Sequence, residues 1–363
     1  MENQPQASTL HLPRFDLSED SCGLALVDAL HDNSAALVRF PGLDDEGPLN
    51  AAYLAKMQEY YSQPWDVLKK DFYPEQFCQL GISPAGHERT VAKPSDWQHL
   101  PKTEWPQWPK GGFAQYMAHG KNGGDQKLRV FFGGLGPAPE NTLFSMLNHQ
   151  HGYPETYVPL LDVLKPQGAL LLRGIKLACE RIAEGFGWPA DTIWGQRMAV
   201  GPHLLAPTGT KITYAMQRSL LNGGHPIIAA GFHRDCNLLT IHNRANAGGL
   251  HAWVGGKRMR VVVPDGYLLI QVASQLESLT GGFLKAGFHE VVIDKDVVMQ
   301  LQALNGFKDT LIRVSSTVFG HGNSDYAADP VRQFAIPTTI ARYGRRSFGD
   351  MMMAEIQQTM PAR

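Results

Sequence analysis

The sequence predicts a mixed α/β chain, mainly β, in which a jelly roll, or double-stranded β-helix, is flanked by helices. Short apolar runs alternate with glycine turns through the second half of the chain, as in antiparallel sheets. These runs number eight, which is the strand count of a jelly roll. A long helical pattern precedes them. The eight predicted strands cover residues 212–217, 226–232, 237–242, 249–254, 259–263, 267–273, 288–293 and 311–319.

Helices and loops are predicted to cover this core from the N-terminal side. A strand at residues 35–40 lies between a helix at 22–32 and a helix at 49–63, whose apolar residues recur at helical spacing. The second helix is expected to end before Pro64, since the residue before a proline avoids the helical conformation. Residues 65–135 are loop-rich, with one short strand near the end. They form either a lid or binding wall, or an ordinary covering of the sheet.

Further helices are predicted in the rest of the chain. A helical pattern over residues 155–186 is expected to break or kink at Pro166. Residues 297–308 are expected to form a short helix inserted into a hairpin, and residues 343–360 a terminal helix. We expect one integrated catalytic unit with three parts. These are a helical and loop-rich region at 1–200, the jelly-roll core at 201–325 and a C-terminal helical segment at 326–363.

A His-x-Asp pair, His233 and Asp235, follows the strand predicted at 226–232. Side chains at i and i+2 of a strand point to one face, so both can bind one ion while Arg234 points away. The third ligand must come from elsewhere, and the best candidate is His289, just before an apolar β-prone run. Two imidazoles and one carboxylate on one face of Fe(II) leave the opposite face open for O₂ and a chelating co-substrate. The sequence therefore predicts an iron site at the mouth of the barrel.

A guanidinium and a hydroxyl, on Arg313 and Ser315, alternate onto one face of the last predicted strand. Together they can hold a carboxylate. We expect them to bind the distal carboxylate of 2-oxoglutarate, whose 2-oxo acid end would chelate the iron. The register of Arg313 depends on how the insert at 297–308 folds.

The ordered set of His-x-Asp, a distant His and Arg-x-Ser resembles the Fe(II)/2-oxoglutarate-dependent dioxygenases of the isopenicillin N synthase-like family. The similarity covers residues 225–321, where further fragments occur in the family's order, including Gly248-Gly249-Leu250. It implies a cupin-like fold, Fe(II), 2-oxoglutarate and O₂ as cofactors, and oxidation of a small molecule with release of succinate and CO₂. Hydroxylation is the default expectation, with desaturation or cyclisation left open as alternatives, in natural-product or amino-acid-derived metabolism.

Two alternatives to this function remain open at the level of sequence. The first is an oxidase of the isopenicillin N synthase type, which uses iron and O₂ without 2-oxoglutarate. Arg313 and Ser315 would then hold the carboxylate of the substrate. The second is a binding module that kept the fold and lost the chemistry, against which the presence of all three ligands argues.

Weaker candidates surround the predicted site. The family usually has an Asn-Tyr-Tyr-Pro-like run before the first ligand, and Tyr214 is the nearest equivalent for contacting the co-substrate. Phe232 and His251 are candidates for contacting the substrate. Cys236 is expected to face away from the metal. Three more histidines are expected to lie behind the ligands, face the substrate or be exposed: His225, His242 and His321.

The composition excludes several classes of partner. The 33 basic and 34 acidic residues give a formal net charge of −1, which provides no field for nucleic acid or an anionic membrane. The four cysteines are widely spaced without a CxxC motif, which favours reduced thiols. Residues 1–6 are polar, and no run reaches the roughly 18 apolar residues of a membrane span. We expect a cytoplasmic enzyme with a small-molecule substrate.

Overall fold

The computed structural model of the protein describes residues 8–359 except 44–45, 91, 109–111, 122, 138, 140 and 149–154. The polar segment 1–6 and residues 360–363, which include the predicted end of the last helix, lie outside the described residues. Fourteen strands are found in the described part. They are β1 (Arg14–Asp16), β2 (Ala35–Arg39), β3 (Gly81–Ser83), β4 (Leu128–Phe131), β5 (Leu204–Leu205), β6 (Thr208–Thr213), β7 (Ile227–His233), β8 (Leu239–His242), β9 (Leu250–Val254), β10 (Lys257–Arg260), β11 (Leu268–Val272), β12 (Phe288–Ile293), β13 (Thr310–Ser315) and β14 (Thr317–Gly320).

The described helices flank these strands, and several of them lie close to the site. They are α1 (Gly23–Asn33), α2 (Glu46–Ser62), α3 (Trp65–Leu68), α4 (Gly112–Lys121), α5 (Leu161–Gly185), α6 (Tyr214–Leu221), α7 (Ser274–Leu279), α8 (Lys295–Asn305), α9 (Pro337–Tyr343) and α10 (Phe348–Thr359). With these helices and strands, the chain is a mixed α/β structure built mainly on sheets. Among the described residues, none of the helices is both long and apolar enough to cross a bilayer.

The strands form three sheets that draw on both halves of the chain. The largest has the order β1-β2-β11-β8-β14-β5, and the two four-stranded sheets have the orders β10-β9-β12-β7 and β13-β6-β4-β3. Strand β2 pairs antiparallel with β11, and β4 pairs antiparallel with β6. Strands from the N-terminal region thus complete two of the three sheets.

Most of the predicted strands are present, but two predictions are wrong. The strand predicted at 212–217 ends at Thr213, because the Thr213 hydroxyl accepts a hydrogen bond from the Met216 amide and caps α6. The strand predicted at 311–319 is two strands, β13 and β14, which belong to different sheets. Strand β10 begins two residues before the predicted range, at Lys257.

The predicted helices are present near their predicted positions, but some differ in where they begin or in whether they are interrupted. Helix α5 continues past Pro166 without a break, and residues 155–160 form a tight 3₁₀ turn before it. Its long buried face offsets the single hydrogen bond that proline removes. The insert forms α8, as predicted. The C-terminal helix predicted at 343–360 is present as α10, which begins at Phe348 after a turn in which Arg345 has a φ of +69°. Helix α9 precedes this turn and was not predicted.

Helix α5 packs its apolar face on the six-stranded sheet. Leu171, Ile175 and Ile182 are fully buried, and each such side chain contributes about 1.5–3 kcal/mol relative to exposure. Gly174 allows the close approach, because a Cβ there would lie 2.7 Å from Cδ1 of Ile241 on β8. This packing fixes β8 and β14, whose opposite faces look towards the site.

Candidate metal centre

The predicted metal ligands come together where β7 and β12 pair. The two strands are antiparallel, and His289 lies directly opposite His233. Nε2 of His233 is 3.6 Å and Nε2 of His289 is 3.8 Å from Oδ1 of Asp235. The three ligand atoms lie within 4.8 Å of one another. Strand β7 ends at His233, so Asp235 reaches the site from the turn that follows and not from the strand itself.

Backbone carbonyl groups orient both imidazole rings. Nδ1 of His233 lies 2.7 Å from the Gly231 oxygen, and Nδ1 of His289 lies 3.4 Å from the Gly287 oxygen. A proton on each Nδ1 leaves Nε2 unprotonated and directed at the shared site, which is the usual arrangement of a metal-binding histidine. Burial lowers the pKa of His289 to about 3, so this ring is neutral at pH 7.

The carboxylate of Asp235 is held in place and charged. The Thr240 hydroxyl on β8 donates a 2.7 Å hydrogen bond to Oδ2 of Asp235, which leaves Oδ1 facing the histidines. Burial alone would raise the pKa of Asp235, but His289 and His233 lower it to well below its usual range. Two imidazoles and one carboxylate form the donor set of a non-haem Fe(II) site. The residues therefore fit the metal that the sequence predicted.

Two cavities meet at these side chains. One, of about 320 Å³, is here called the helix-side cavity because α10 forms part of its wall through Met351, Met352 and Glu355. The other, of about 300 Å³, is called the arginine-side cavity because it is lined by His289, Arg313 and Ser315. The two share five lining residues, which are Lys127, Arg129, His233, Asp235 and Phe319.

Arg313 is a buried cation in the arginine-side cavity. Only 4% of its surface is exposed, and its Nε donates a 2.6 Å hydrogen bond to the Gly248 oxygen. No carboxylate of the described residues lies within ion-pair distance. Burial lowers its pKa to about 10, which keeps it protonated at pH 7. Because a buried charge without a counter-ion is unfavourable, this guanidinium is suited to bind an anion.

Ser315 lines the same cavity from the same strand. Across the sheet it lies opposite Thr208 on β6, and Thr208 lies opposite Arg129 on β4. Paired residues on neighbouring strands point to the same face, so these three side chains form a polar row towards the metal ligands. The structure thus brings Arg313 and Ser315 to the predicted metal site despite the inserted helix α8.

A charged network beside the metal site was not predicted from the sequence. Nζ of Lys127 lies 2.6 Å from Oδ2 of Asp125 and 3.4 Å from Oε2 of Glu88. Nη2 of Arg129 lies 2.6 Å from the same Glu88 oxygen. The signal was the alternation Lys127-x-Arg129-x-Phe131, which puts polar and aromatic side chains on one face of β4. The loop-rich region 65–135 therefore contributes part of the cavity wall.

Several weaker candidates lie elsewhere. Tyr214 begins α6 with 56% of its surface exposed and does not line either cavity. His251 is buried on the opposite face of β9, because its neighbour Ala252 pairs with the metal-facing His289. Phe232 is fully buried in an aromatic cluster and reaches the wall of the helix-side cavity. Cys236 also lines that cavity, and its thiol donates a 3.4 Å hydrogen bond to the Met351 oxygen of α10.

No protein-family model matches the sequence, and no curated protein matches it. Solved structures align along nearly the whole chain. A full-length protein of Neurospora crassa, solved in complex with alpha-KG, has a TM-score of 0.67 at 15% identity and covers 99% of each chain. A protein from Caulobacter crescentus, named for the 2OG-Fe(II) oxygenase family, has a TM-score of 0.67 at 18% identity, with 96% and 99% of the two chains covered.

The dioxygenase for auxin oxidation of rice is also similar, with a TM-score of 0.60, 15% identity and 96% coverage of both chains. At these identities the likeness establishes the fold. The chain has the fold of the Fe(II)/2-oxoglutarate oxygenases, and the resemblance predicted from the sequence is confirmed at that level.

Proposed function

We propose that the chain is an Fe(II)- and 2-oxoglutarate-dependent dioxygenase that oxidises a small molecule and releases succinate and CO₂. One observation carries this proposal. A buried guanidinium, Arg313, has no carboxylate partner among the described residues, and it lines the same cavity as the candidate ligands His289 and Asp235. A diacid with a 2-oxo group can span that cavity, with one end at the metal and the other at Arg313.

The protein residues divide the work between them. His233, Asp235 and His289 would hold Fe(II) through one face, and the bound iron would supply binding positions for O₂ and the 2-oxo acid, together with the oxidising power of the reaction. Arg313 would bind the distal carboxylate of 2-oxoglutarate by charge-assisted hydrogen bonds. Ser315 would add a hydroxyl donor to the same carboxylate.

The helix-side cavity is the proposed substrate site. It reaches the same metal ligands from the other side, and its volume of about 320 Å³ suits a small molecule. Its wall combines aromatic rings with the paired charges of the Glu88 network. Solved structures of the Neurospora crassa protein contain thymine or 5-formyluracil, and JOX2 is in complex with 2OG, Fe and JA. Hydroxylation is the default reaction, while desaturation and cyclisation depend on how the substrate is held.

We also propose that the sheets form a double-stranded β-helix within one integrated catalytic unit. Side chains of the six-stranded sheet meet side chains of the β7–β12 sheet across the site. Thr240 binds Asp235, and the ring centroids of His242 and His289 are 6.1 Å apart. The two sheets therefore face each other around the metal ligands, as the two sheets of a jelly roll do.

The test uses the full-length protein with Fe(II) under anaerobic conditions. A 2-oxo acid that chelates Fe(II) gives a metal-to-ligand absorption band, so titration with 2-oxoglutarate should produce one. Admission of O₂ should then convert 2-oxoglutarate to succinate. A protein that binds Fe(II) and gives no band refutes the proposal. Consumption of O₂ with substrate but without succinate would instead identify an oxidase of the isopenicillin N synthase type.

A further inference from the structure

His242 occupies a position in the site that the sequence did not distinguish from its other histidines. It ends β8, two residues after Thr240, so both side chains point to the same face of the strand. Thr240 binds the Asp235 carboxylate, and His242 lines the arginine-side cavity with its ring centroid 6.1 Å from that of His289. The imidazole is therefore beside the metal site without being one of its three ligands.

The hydrogen bonding of this ring is incomplete. Nδ1 lies 3.0 Å from Oγ1 of Thr317, which stands directly opposite on β14. Nε2 is buried and has no hydrogen-bond partner among the described residues. The Gln271 side chain is close enough to raise the pKa of the ring, but it forms no hydrogen bond of acceptable geometry with Nε2. A buried ring nitrogen without a partner is unfavourable unless a ligand satisfies it.

The ring lines the same cavity as the Asp235 carboxylate and the Arg313 guanidinium. A neutral imidazole carries one proton. If the Thr317 hydroxyl donates to Nδ1, that proton is on Nε2, where it can be donated to an anion.

We propose that His242 is a positioning residue for the co-substrate, and that its Nε2 donates a hydrogen bond to the carboxylate next to the 2-oxo group of 2-oxoglutarate. This inference rests on the proposed function. Arg313 and Ser315 take the distal carboxylate, which leaves the metal-end carboxylate for the ring beside His289. The bond would fix the orientation in which the 2-oxo acid chelates the iron.

The experiment is an anaerobic titration of 2-oxoglutarate into the Fe(II)-loaded protein. Binding is monitored by the intensity of the metal-to-ligand absorption band. His242→Leu keeps the volume and removes the donor, while His242→Gln restores a donor. The matched control is His251→Leu, since His251 is a buried histidine that lines neither cavity. His242→Leu should weaken 2-oxoglutarate binding by about 10- to 100-fold, the ratio expected for a hydrogen bond to a charged group. His242→Gln should recover most of this loss.

Two further readouts separate positioning from a merely structural role. The energy and circular dichroism of the band report the geometry of the chelate, so both should shift in His242→Leu and remain unchanged in His251→Leu. Pyruvate keeps the chelating end and lacks the distal carboxylate. His242→Leu should therefore weaken the binding of pyruvate as well as that of 2-oxoglutarate. Arg313→Leu should weaken the binding of 2-oxoglutarate only. Fe(II) affinity without a 2-oxo acid should stay the same in both variants.

The outcomes distinguish this inference from the proposed function. No band in the wild type would remove the function itself. A wild-type band with unchanged affinity and unchanged spectrum in His242→Leu would overturn only the role of His242. If His242→Leu does not fold, Thr317→Val tests the same idea. Without the Thr317 hydroxyl as a donor to Nδ1, the ring proton is no longer held on Nε2. Its 2-oxoglutarate affinity should fall about threefold or more, and an unchanged affinity would overturn the inference.

Discussion

Replacement of Arg313 by leucine tests the proposed co-substrate site most directly. The guanidinium is 4% exposed and has no carboxylate partner among the described residues. If it binds the distal carboxylate of 2-oxoglutarate, its loss leaves that carboxylate buried and unpaired, at a cost of about 2–5 kcal/mol. The dissociation constant should rise by roughly 30- to 5,000-fold. Ser315→Ala removes one hydrogen bond to a charged group and should cost about 1.5–3 kcal/mol.

The same change should appear in the free energy of unfolding. At a concentration of 100 times its dissociation constant, 2-oxoglutarate stabilises the wild-type Fe(II) protein by about 2.7 kcal/mol. With a hundredfold weaker constant, the same concentration adds only about 0.4 kcal/mol. Without ligand, Arg313→Leu should be at least as stable as the wild type, because it removes a buried cation that has no counter-ion in the described part of the chain.

The assay combines the anaerobic band titration with denaturant unfolding in the presence and absence of 2-oxoglutarate. Fe(II) binding should survive in both variants and serves as the control. Wild-type affinity for 2-oxoglutarate in Arg313→Leu would refute the assignment. Arg260 would then become the candidate, since it lines the same cavity.

Removal of either imidazole ligand, by His233→Ala or His289→Ala, should lower Fe(II) affinity by orders of magnitude, whereas His251→Ala should not; unchanged affinity in a ligand variant contradicts the metal site. Asp235→Gly should abolish succinate formation, because it removes the carboxylate ligand. Glu290 cannot replace it, since this side chain faces the other side of β12 and pairs with Arg258. Activity in this variant would show that another carboxylate substitutes. Unfolding free energy should fall between pH 7 and pH 5, since burial lowers the pKa of His251 to about 3 and the unfolded chain binds the proton first. The slope of the unfolding free energy against pH, measured by denaturant unfolding, should be smaller in His251→Leu than in the wild type, by up to about 1.4 kcal/mol per pH unit below pH 6.5. Equal slopes in the two proteins would contradict the buried neutral state of His251.

The local pattern of the sequence indicated the residues of the proposed metal site. Spacing of two in a strand-like segment groups His233 with Asp235 and Arg313 with Ser315, and these groupings hold in the structure. The insert between His289 and Arg313 has helical periodicity, and it forms α8. These features depend on neighbouring residues, so a single sequence is enough to indicate them.

Boundaries set by competing local signals were harder to predict. Tyr214 lies in a β-prone run, yet Thr213 caps a helix there and the tyrosine turns towards solvent. Similarly, the apolar run 311–319 looks continuous, but its two halves pair with strands of different sheets. Pairing partners distant in the sequence decide such cases.

Only the tertiary structure decided which of two histidines faces the candidate metal site. His242 and His251 both follow apolar residues in predicted strands, and the sequence favoured His251 as the one that contacts the substrate. The pairing of Ala252 with His289 turns His251 away, while the pairing of β8 with β14 turns His242 towards the ligands. The register of a strand sets its faces, and a shift of one residue would exchange them. That register results from contacts between distant segments, which a single sequence does not contain.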